Sequence, residues 1–224
     1  MLNEISQLLD QHELDLIHRH IAKASWQSGT LTAGEQARKT KLNEELVQDE
    51  HNWMPINKLV ASKLYVHPHF QSLVLPSKLS ATFVTRCLHG MHYGQHIDNP
   101  IMGSQHARYR SDLAITVFLT DPDSYDGGEL SIESRYGPVA VKLPAGSAVI
   151  YPATSLHEVT PVTAGERIVC VLWAQSMIKD AHQRELLHDL NEARQALIQS
   201  TPEAMVTKRI EHVYANLLRL WADV

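Results

Sequence analysis

His96, Asp98 and His157 are the residues of this sequence best suited to share one cation. The densest histidine run is His89-Gly90-Met91-His92-Tyr93-Gly94-Gln95-His96-Ile97-Asp98. The spacing of His89, His92 and His96 looks helical at first sight, but Gly90, Gly94 and Asn99-Pro100 count against a helix. In an extended segment His96 and Asp98, two apart, point to the same side, where an imidazole nitrogen and a carboxylate oxygen can converge. A third ligand must come from elsewhere, and His157 stands just past the apolar run that ends in Tyr151-Pro152. Two histidines and one carboxylate leave three coordination positions open, which suits a non-heme Fe(II) that must bind a cosubstrate and oxygen together. After a turn at Pro161 to Gly165, the next strand begins with Arg167, whose planar guanidinium can grip a carboxylate at two points as a lysine cannot. A lone His-x-Asp arises by chance; the conjunction with His157 and Arg167 in a β context carries the assignment.

The elements that must position these groups are strands. Short runs rich in Val, Ile, Thr and Phe occupy Ala81 to Leu88, Asp112 to Leu119, Glu129 to Glu133, Val139 to Leu143, Ser147 to Tyr151 and Arg167 to Ala174, with turn signals such as Asp126-Gly127-Gly128 and Pro144-Ala145-Gly146 between them. Most connections are too short for crossover helices, which predicts antiparallel pairing in a double-sheet roll or barrel. Upstream, Leu14, Ile17 and Ile21, then Ile56, Leu59, Val60 and Leu64, recur at helical spacing. Between them Gly29 to Gly34 reads as a loop and the polar stretch to Glu50 as an exposed helix. Downstream, Leu186, Leu190, Ala193 and Leu197 form one apolar stripe, and Val206, Ile210, Val213, Leu217 and Trp221 another. Thr201 is expected as N-cap and Pro202 at the first position of the second helix, with both stripes packed on the β core.

The chain has 224 residues, the length of one domain or of one core with helical additions. Its 20 Lys and Arg against 25 Asp and Glu give a net charge of −5, so the basic field of a nucleic-acid or anionic-membrane binder is missing. Fourteen His against 2 Cys mean that a metal site must use imidazole and carboxylate, not a thiolate cage. No apolar run approaches the roughly 18 residues that span a bilayer. Glu4, Asp10, Glu13 and Asp15 are foreign to a signal peptide, so a cytoplasmic chain with Cys87 and Cys170 reduced is expected.

At Met91 to Asn99, Arg110-Ser111-Asp112-Leu113 leading to Phe118-Leu119, Tyr125-Asp126-Gly127-Gly128-Glu129-Leu130, Lys142 to Gly146, Tyr151 to His157, Pro161-Val162-Thr163 and Trp173-Ala174-Gln175-Ser176, the chain resembles a known family. It is that of the iron(II)- and 2-oxoglutarate-dependent dioxygenases, and within it the PKHD-type hydroxylases, relatives of the prolyl and lysyl hydroxylases. The resemblance implies a mainly β core, a double-stranded β-helix or jelly roll over 78–177, with an N-terminal helical region over 1–77 packing on it and a C-terminal two-helix extension over 178–224. It implies that His96, Asp98 and His157 bind Fe(2+), and that Arg167 pairs with the distal carboxylate of 2-oxoglutarate, with Tyr93 as a further cosubstrate neighbour. The implied reaction hydroxylates a C–H bond of an amino-acid-like or small-metabolite substrate with O2, releasing succinate and CO2, with L-ascorbate as reductant and an association with iron uptake. Related hydroxylases commonly have a Tyr nine residues before the first iron ligand, where this chain has Cys87.

His92 and Arg110 are candidates to touch substrate or support the ligands, against a structural Arg110 to Asp112 salt bridge. His67 and His69 read as exposed loop residues rather than a secondary metal site. Two other functions use parts of the same chemistry: a non-catalytic iron or 2-oxoglutarate sensor, and a zinc-bound structural module with a closed four-ligand site. The helical tail offers a surface for a homodimer.

Overall fold

The computed structural model describes residues 2–31 and 37–223. Eight strands make the core: β1 (Phe83–Cys87), β2 (His92–His96), β3 (Leu113–Phe118), β4 (Leu130–Ser134), β5 (Gly137–Val141), β6 (Ala148–Pro152), β7 (His157–Val159) and β8 (Arg167–Ser176). They form two antiparallel sheets in the orders β1-β8-β3-β6 and β2-β7-β4-β5, a jelly roll. The six strand runs expected from the sequence are all present, as β1, β3, β4, β5, β6 and β8. The larger sheet is extended at its edges by Asn3–Ile5, Glu44–Leu46 and Trp26–Ser28, and the smaller one by Lys41–Leu42.

Helices α1 (Gln11–Ile21), α2 (Trp53–Val66) and α3 (Pro68–Val74) precede the core. Asp10 caps α1 through the Glu13 N–H while the Glu13 side chain accepts from the Asp10 N–H, a reciprocal capping box. The larger sheet is buried on both faces. Along β3, Leu113, Ile115 and Val117 belong to a cluster with Ile17, Ile56, Val60, Leu64 and Phe70 of the helices, while Ala114 and Phe118 join Leu130, Ile132 and Tyr151 between the sheets. Burying each such large side chain contributes roughly 1.5–3 kcal/mol, which fixes the strand register from both sides.

Several expectations are corrected. The polar stretch to Glu50 is not an α-helix in its described part: it makes one 3-10 turn at Ala37–Lys39 and then supplies the strands Lys41–Leu42 and Glu44–Leu46; residues 32–36, the end of the expected loop and the start of this stretch, lie outside the described residues. Val162–Gly165, expected as a turn, is a strand paired with Tyr125–Gly127. His67 and His69 are half-buried, not exposed, because Pro68 starts α3 at a position where its missing N–H costs nothing and the His67 side chain caps it.

The tail forms α4 (Ala181–Ser200) and α5 (Met205–Trp221). Thr201 is the C-cap of α4, its N–H donating to Leu197 O at 2.8 Å, and Pro202 lies in the following turn rather than in α5. The tail packs on α3, with Leu75, Ile178 and Leu187 as its apolar centre, not on the β core. The buried face of α4 is Arg184, Leu187, His188 and Asn191, whereas Leu186 is 46 % exposed. That polar face is stable inside because its donors are satisfied: Arg184 Nη1 donates to Ile178 O at 2.6 Å and Asn191 Nδ2 to Ser72 Oγ at 2.9 Å. Among the described residues, no helix is long and apolar enough to cross a membrane.

Candidate metal centre

β2 and β7 bring the two histidines together. His157 lies directly opposite His96 in the ladder, and directly opposed residues point to the same face. The next registered pair is Val159 with Tyr93, so two steps along β7 match three along β2. This bulge breaks the alternation of β2 and carries Tyr93, three before His96, onto the same face, where the two rings stack at 3.6 Å and 14°. Asp98 lies just past the end of β2, two residues beyond His96. One ligand atom each of His96, Asp98 and His157 lies within 4.8 Å of the other two.

Each of the three side chains is oriented by a partner on its far side. His96 Nδ1 is 2.8 Å from Gly94 O, and His157 Nδ1 is 2.9 Å from Ser155 O. A carbonyl oxygen only accepts, so in both rings Nδ1 carries the hydrogen and Nε2 presents its lone pair. Asp98 Oδ2 accepts from Trp173 Nε1 at 2.8 Å, leaving Oδ1, 3.9 Å from His157 Nε2, free to meet a cation. Burial first, and then the neighbouring His157, pull His96 down to about 3, so the imidazole stays neutral at physiological pH. Burial pushes the Asp98 carboxyl up against the opposing pull of His157 and the Trp173 N–H. Two neutral imidazoles and a desolvated carboxylate, aimed at one point with the opposite side open, fit a divalent iron that keeps exchangeable positions.

The open side is a cavity of about 890 Å³ lined by these ligands and by Tyr93, Thr116, Tyr151 and Arg167. Arg167 opens β8 opposite Cys87 of β1 and is 2 % exposed, with Cζ 5.7 Å from the Phe118 ring. Its Nε has no hydrogen-bond partner, nor has the buried Tyr125 hydroxyl, and no carboxylate lies within ion-pair distance of its guanidinium among the described residues. A buried cation without a counter-ion is costly unless an anion arrives to meet it. Gly128, at φ +67°, lets its loop close on this group: a Cβ there would stand 2.9 Å from Arg167 Cδ.

His92 and Arg110 do not line the cavity. The Arg110 guanidinium forks onto Asp112 at 2.6 and 2.9 Å and also reaches Ser176 O at 3.2 Å, the structural salt bridge. Cys87 does line it, and burial raises its thiol. Sequence reasoning did not single out Trp173 or Tyr125. Trp173 was legible by alternation, since Arg167, Val169, Val171 and Trp173 are every second residue of β8 and all face the cavity. The buried Lys41 to Glu45 ion pair on the same wall, at 2.5 Å with Lys41 Nζ 5.1 Å above the Tyr93 ring, had no signal beyond residue type.

Trp173→Phe keeps an aromatic ring, though a smaller one, on the same wall and removes the N–H that orients Asp98. We expect Fe(II) affinity to fall about 10–100-fold with the fold intact, read by anaerobic metal titration beside circular dichroism. Unchanged affinity would show that the indole N–H does not orient the carboxylate.

Residues 82–175 match the family model of the 2OG-Fe(II) oxygenase superfamily, and residues 181–223 that of the PKHD-type hydroxylase C-terminal domain. A PKHD-type hydroxylase of Thioalkalivibrio sulfidiphilus is 49% identical over 224 residues, 100% of both chains, and one of Azoarcus sp. is 43% identical over 228 residues, again 100% of both. Among solved structures, the fold is similar to a prolyl hydroxylase from Trichoplax adhaerens in complex with a hypoxia inducible factor peptide fragment, with TM-score 0.57 and 17% identity over 83% of this chain and 86% of that one. It is also similar to the viral collagen prolyl hydroxylase of Paramecium bursaria Chlorella virus-1 in its 2OG complex, with TM-score 0.54 and 18% identity over 78% of this chain and 96% of that one.

Proposed function

Because the chain belongs to the PKHD-type hydroxylases of the 2OG-Fe(II) oxygenase superfamily, we propose that His96, Asp98 and His157 hold its Fe(II) and that Arg167 receives the distal carboxylate of 2-oxoglutarate. The observation that carries this is the pairing, in one cavity, of three oriented metal donors with a buried guanidinium that has no counter-ion. With iron, 2-oxoglutarate and O2 bound, the chemistry available is oxidative decarboxylation to succinate and CO2 coupled to hydroxylation of a substrate C–H bond.

The residues of this chain do the positioning. Gly94 O and Ser155 O hold the two imidazoles in the ligating tautomer, and Trp173 holds Asp98. Phe118 packs beside Arg167 and keeps water from the guanidinium. Tyr93 stacks on His96 and lines the cosubstrate side. The cavity wall also includes Tyr109, and its rim carries the exposed Ile97 and Ile101, an apolar entrance suited to a substrate that offers an aliphatic C–H bond on an amino-acid-like or small-metabolite frame. Within the same proposal, 1–77 supports the core 78–177, and 178–224 is the extension. Ascorbate is the reductant that restores iron after uncoupled turnover, and the substrate is sought among compounds of iron uptake. The buried free thiols Cys87 and Cys170 suit a reducing cytoplasm, and the exposed Val206, Val213 and Leu220 of α5 suit a homodimer through the tail.

The test is succinate formation from 2-oxoglutarate by anaerobically iron-loaded protein on admission of O2. Turnover that requires Fe(II) and stops with a chelator is expected, raised by the true substrate and by ascorbate. Binding of 2-oxoglutarate without turnover across amino-acid and iron-chelator candidates would instead make the protein a sensor, and no binding at all would sink both.

A further inference from the structure

Outside the cavity, the described residues bring a second set of metal donors within reach of a single ion. One ring nitrogen each of His69 and His188 and a carboxylate oxygen of Glu192 all lie within 4.8 Å of one another. His69 belongs to α3, while His188 and Glu192 are four apart on α4 and therefore share one face of that helix. The rings of His69 and His188 meet edge to face, 5.2 Å apart at 75°.

His188 is also held as a ligand would be. It is buried, and its Nδ1 is 3.0 Å from Ser72 Oγ, which accepts from Asn191 Nδ2 at 2.9 Å. Asn191 Oδ1 in turn accepts from Arg194 Nε and Nη2 at 3.1 and 2.8 Å, so the ring is held by a chain of partners that runs from Ser72 to Arg194. Metal-binding imidazoles are characteristically aimed in this way, by a partner on the nitrogen that does not bind. The Ser72 hydroxyl can accept from Nδ1 as well as donate to it, and in the tautomer that carries the hydrogen on Nδ1 the lone pair for a metal is on Nε2. Burial, and then the neighbouring His69, hold His188 below its ordinary value, so its neutral form is available at neutral pH.

We propose that His69, His188 and Glu192 form a second metal site that takes a divalent ion of the zinc class and clips α4 to α3. Two imidazoles and one carboxylate, with water in the fourth position, are a donor set that such ions accept in tetrahedral geometry. Mg²⁺ and Ca²⁺ ask for oxygen sets instead, and no thiolate is present to draw a soft ion. Zn–N bonds of about 2.0–2.1 Å require the three groups to close on the ion. Glu192 is exposed and His69 half-buried, so both side chains have rotamers with which to do so. The effect follows from the fold: α4 packs on α3, and an ion there ties together segments as far apart as Ser72 and His188, 116 residues in sequence. An ion bound only when those helices are docked stabilises the docked state.

The site is independent of the hydroxylase assignment and is tested without activity. Metal-free full-length protein is dialysed against ZnCl₂ alone and its bound zinc counted, and thermal melting is followed with and without the ion. Wild type is expected to take two Zn²⁺ per chain, one in the cavity and one between α3 and α4. Glu192→Gln and His69→Ala should take one and lose the part of the zinc-dependent rise in Tm that His96→Ala retains. Both altered positions have exposed or half-exposed side chains, so the variants should fold as wild type does by circular dichroism. Two equivalents retained in both variants, or a single wild-type equivalent lost only in His96→Ala, would overturn the proposal.

Discussion

Asp98→Ala is expected to lower Fe(II)-dependent succinate formation at least about a thousandfold, roughly 4 kcal/mol of barrier. The carboxylate is the only anionic donor of the three and the only one that offsets the charge of a divalent ion in a desolvated pocket. Its loss leaves two neutral imidazoles, which still point inward because their Nδ1 hydrogens are held by Gly94 O and Ser155 O. Iron should therefore bind weakly and with one more exchangeable position, and the defect should appear both in iron affinity and in turnover at saturating iron. The substitution also strips Trp173 Nε1 of its acceptor, so Trp173→Phe in the same background should add little further loss, as expected for two groups acting as one unit. Turnover by Asp98→Ala within tenfold of wild type at saturating iron would remove Asp98 from the ligand set.

The second large effect concerns Arg167. Arg167→Met is expected to weaken 2-oxoglutarate binding by about 2–5 kcal/mol, the cost of taking away one partner of a desolvated charge pair. The charge alone does not account for the whole effect. Arg167→Lys keeps the cation but loses the two-point fork, so its 2-oxoglutarate affinity should fall between wild type and Arg167→Met. Without cosubstrate the order should reverse. The wild-type guanidinium is 2 % exposed with Nε unpartnered, and exchanging such a group for an apolar chain of similar length is neutral or stabilising. Metal-free, cosubstrate-free Arg167→Met should thus melt at or above the wild-type Tm while failing to bind. Titration of 2-oxoglutarate into the anaerobic Fe(II) protein measures the first effect and calorimetry of the ligand-free chain the second. A variant that melts well below wild type would mean that Arg167 serves packing rather than anion recognition.

The two effects differ in how they were legible beforehand. His96 and Asp98 are neighbours in the chain, and a period of two in an extended segment is enough to place them together. Tyr93 is not: three residues from His96, it should face the other way, and only the bulge against β7 returns it to the cavity. Arg167 could be placed at the start of a strand, but its lack of a counter-ion depends on what β1, β3 and the Gly128 loop set around it. The tail shows the converse. Leucine spacing predicted the helices but chose the wrong face of α4, because Ser72 of α3 hydrogen-bonds His188 and Asn191 while the carbonyls of Ile178 and Lys179 accept from Arg184, contacts that no hydropathy pattern encodes.

Local rules therefore determined much of this protein from its sequence: the β runs that became the roll, the helical spacing of α1, α2, α4 and α5, the His-x-Asp pair, and a family resemblance spread over short motifs. Such rules act within a few residues, where periodicity and turn chemistry dominate. Tertiary structure alone decided which distant groups met: His157 opposite His96, Trp173 on Asp98, Lys41 over Tyr93, and His69 against His188. Those contacts are set by sheet register and helix packing, which depend on the whole core being filled at once.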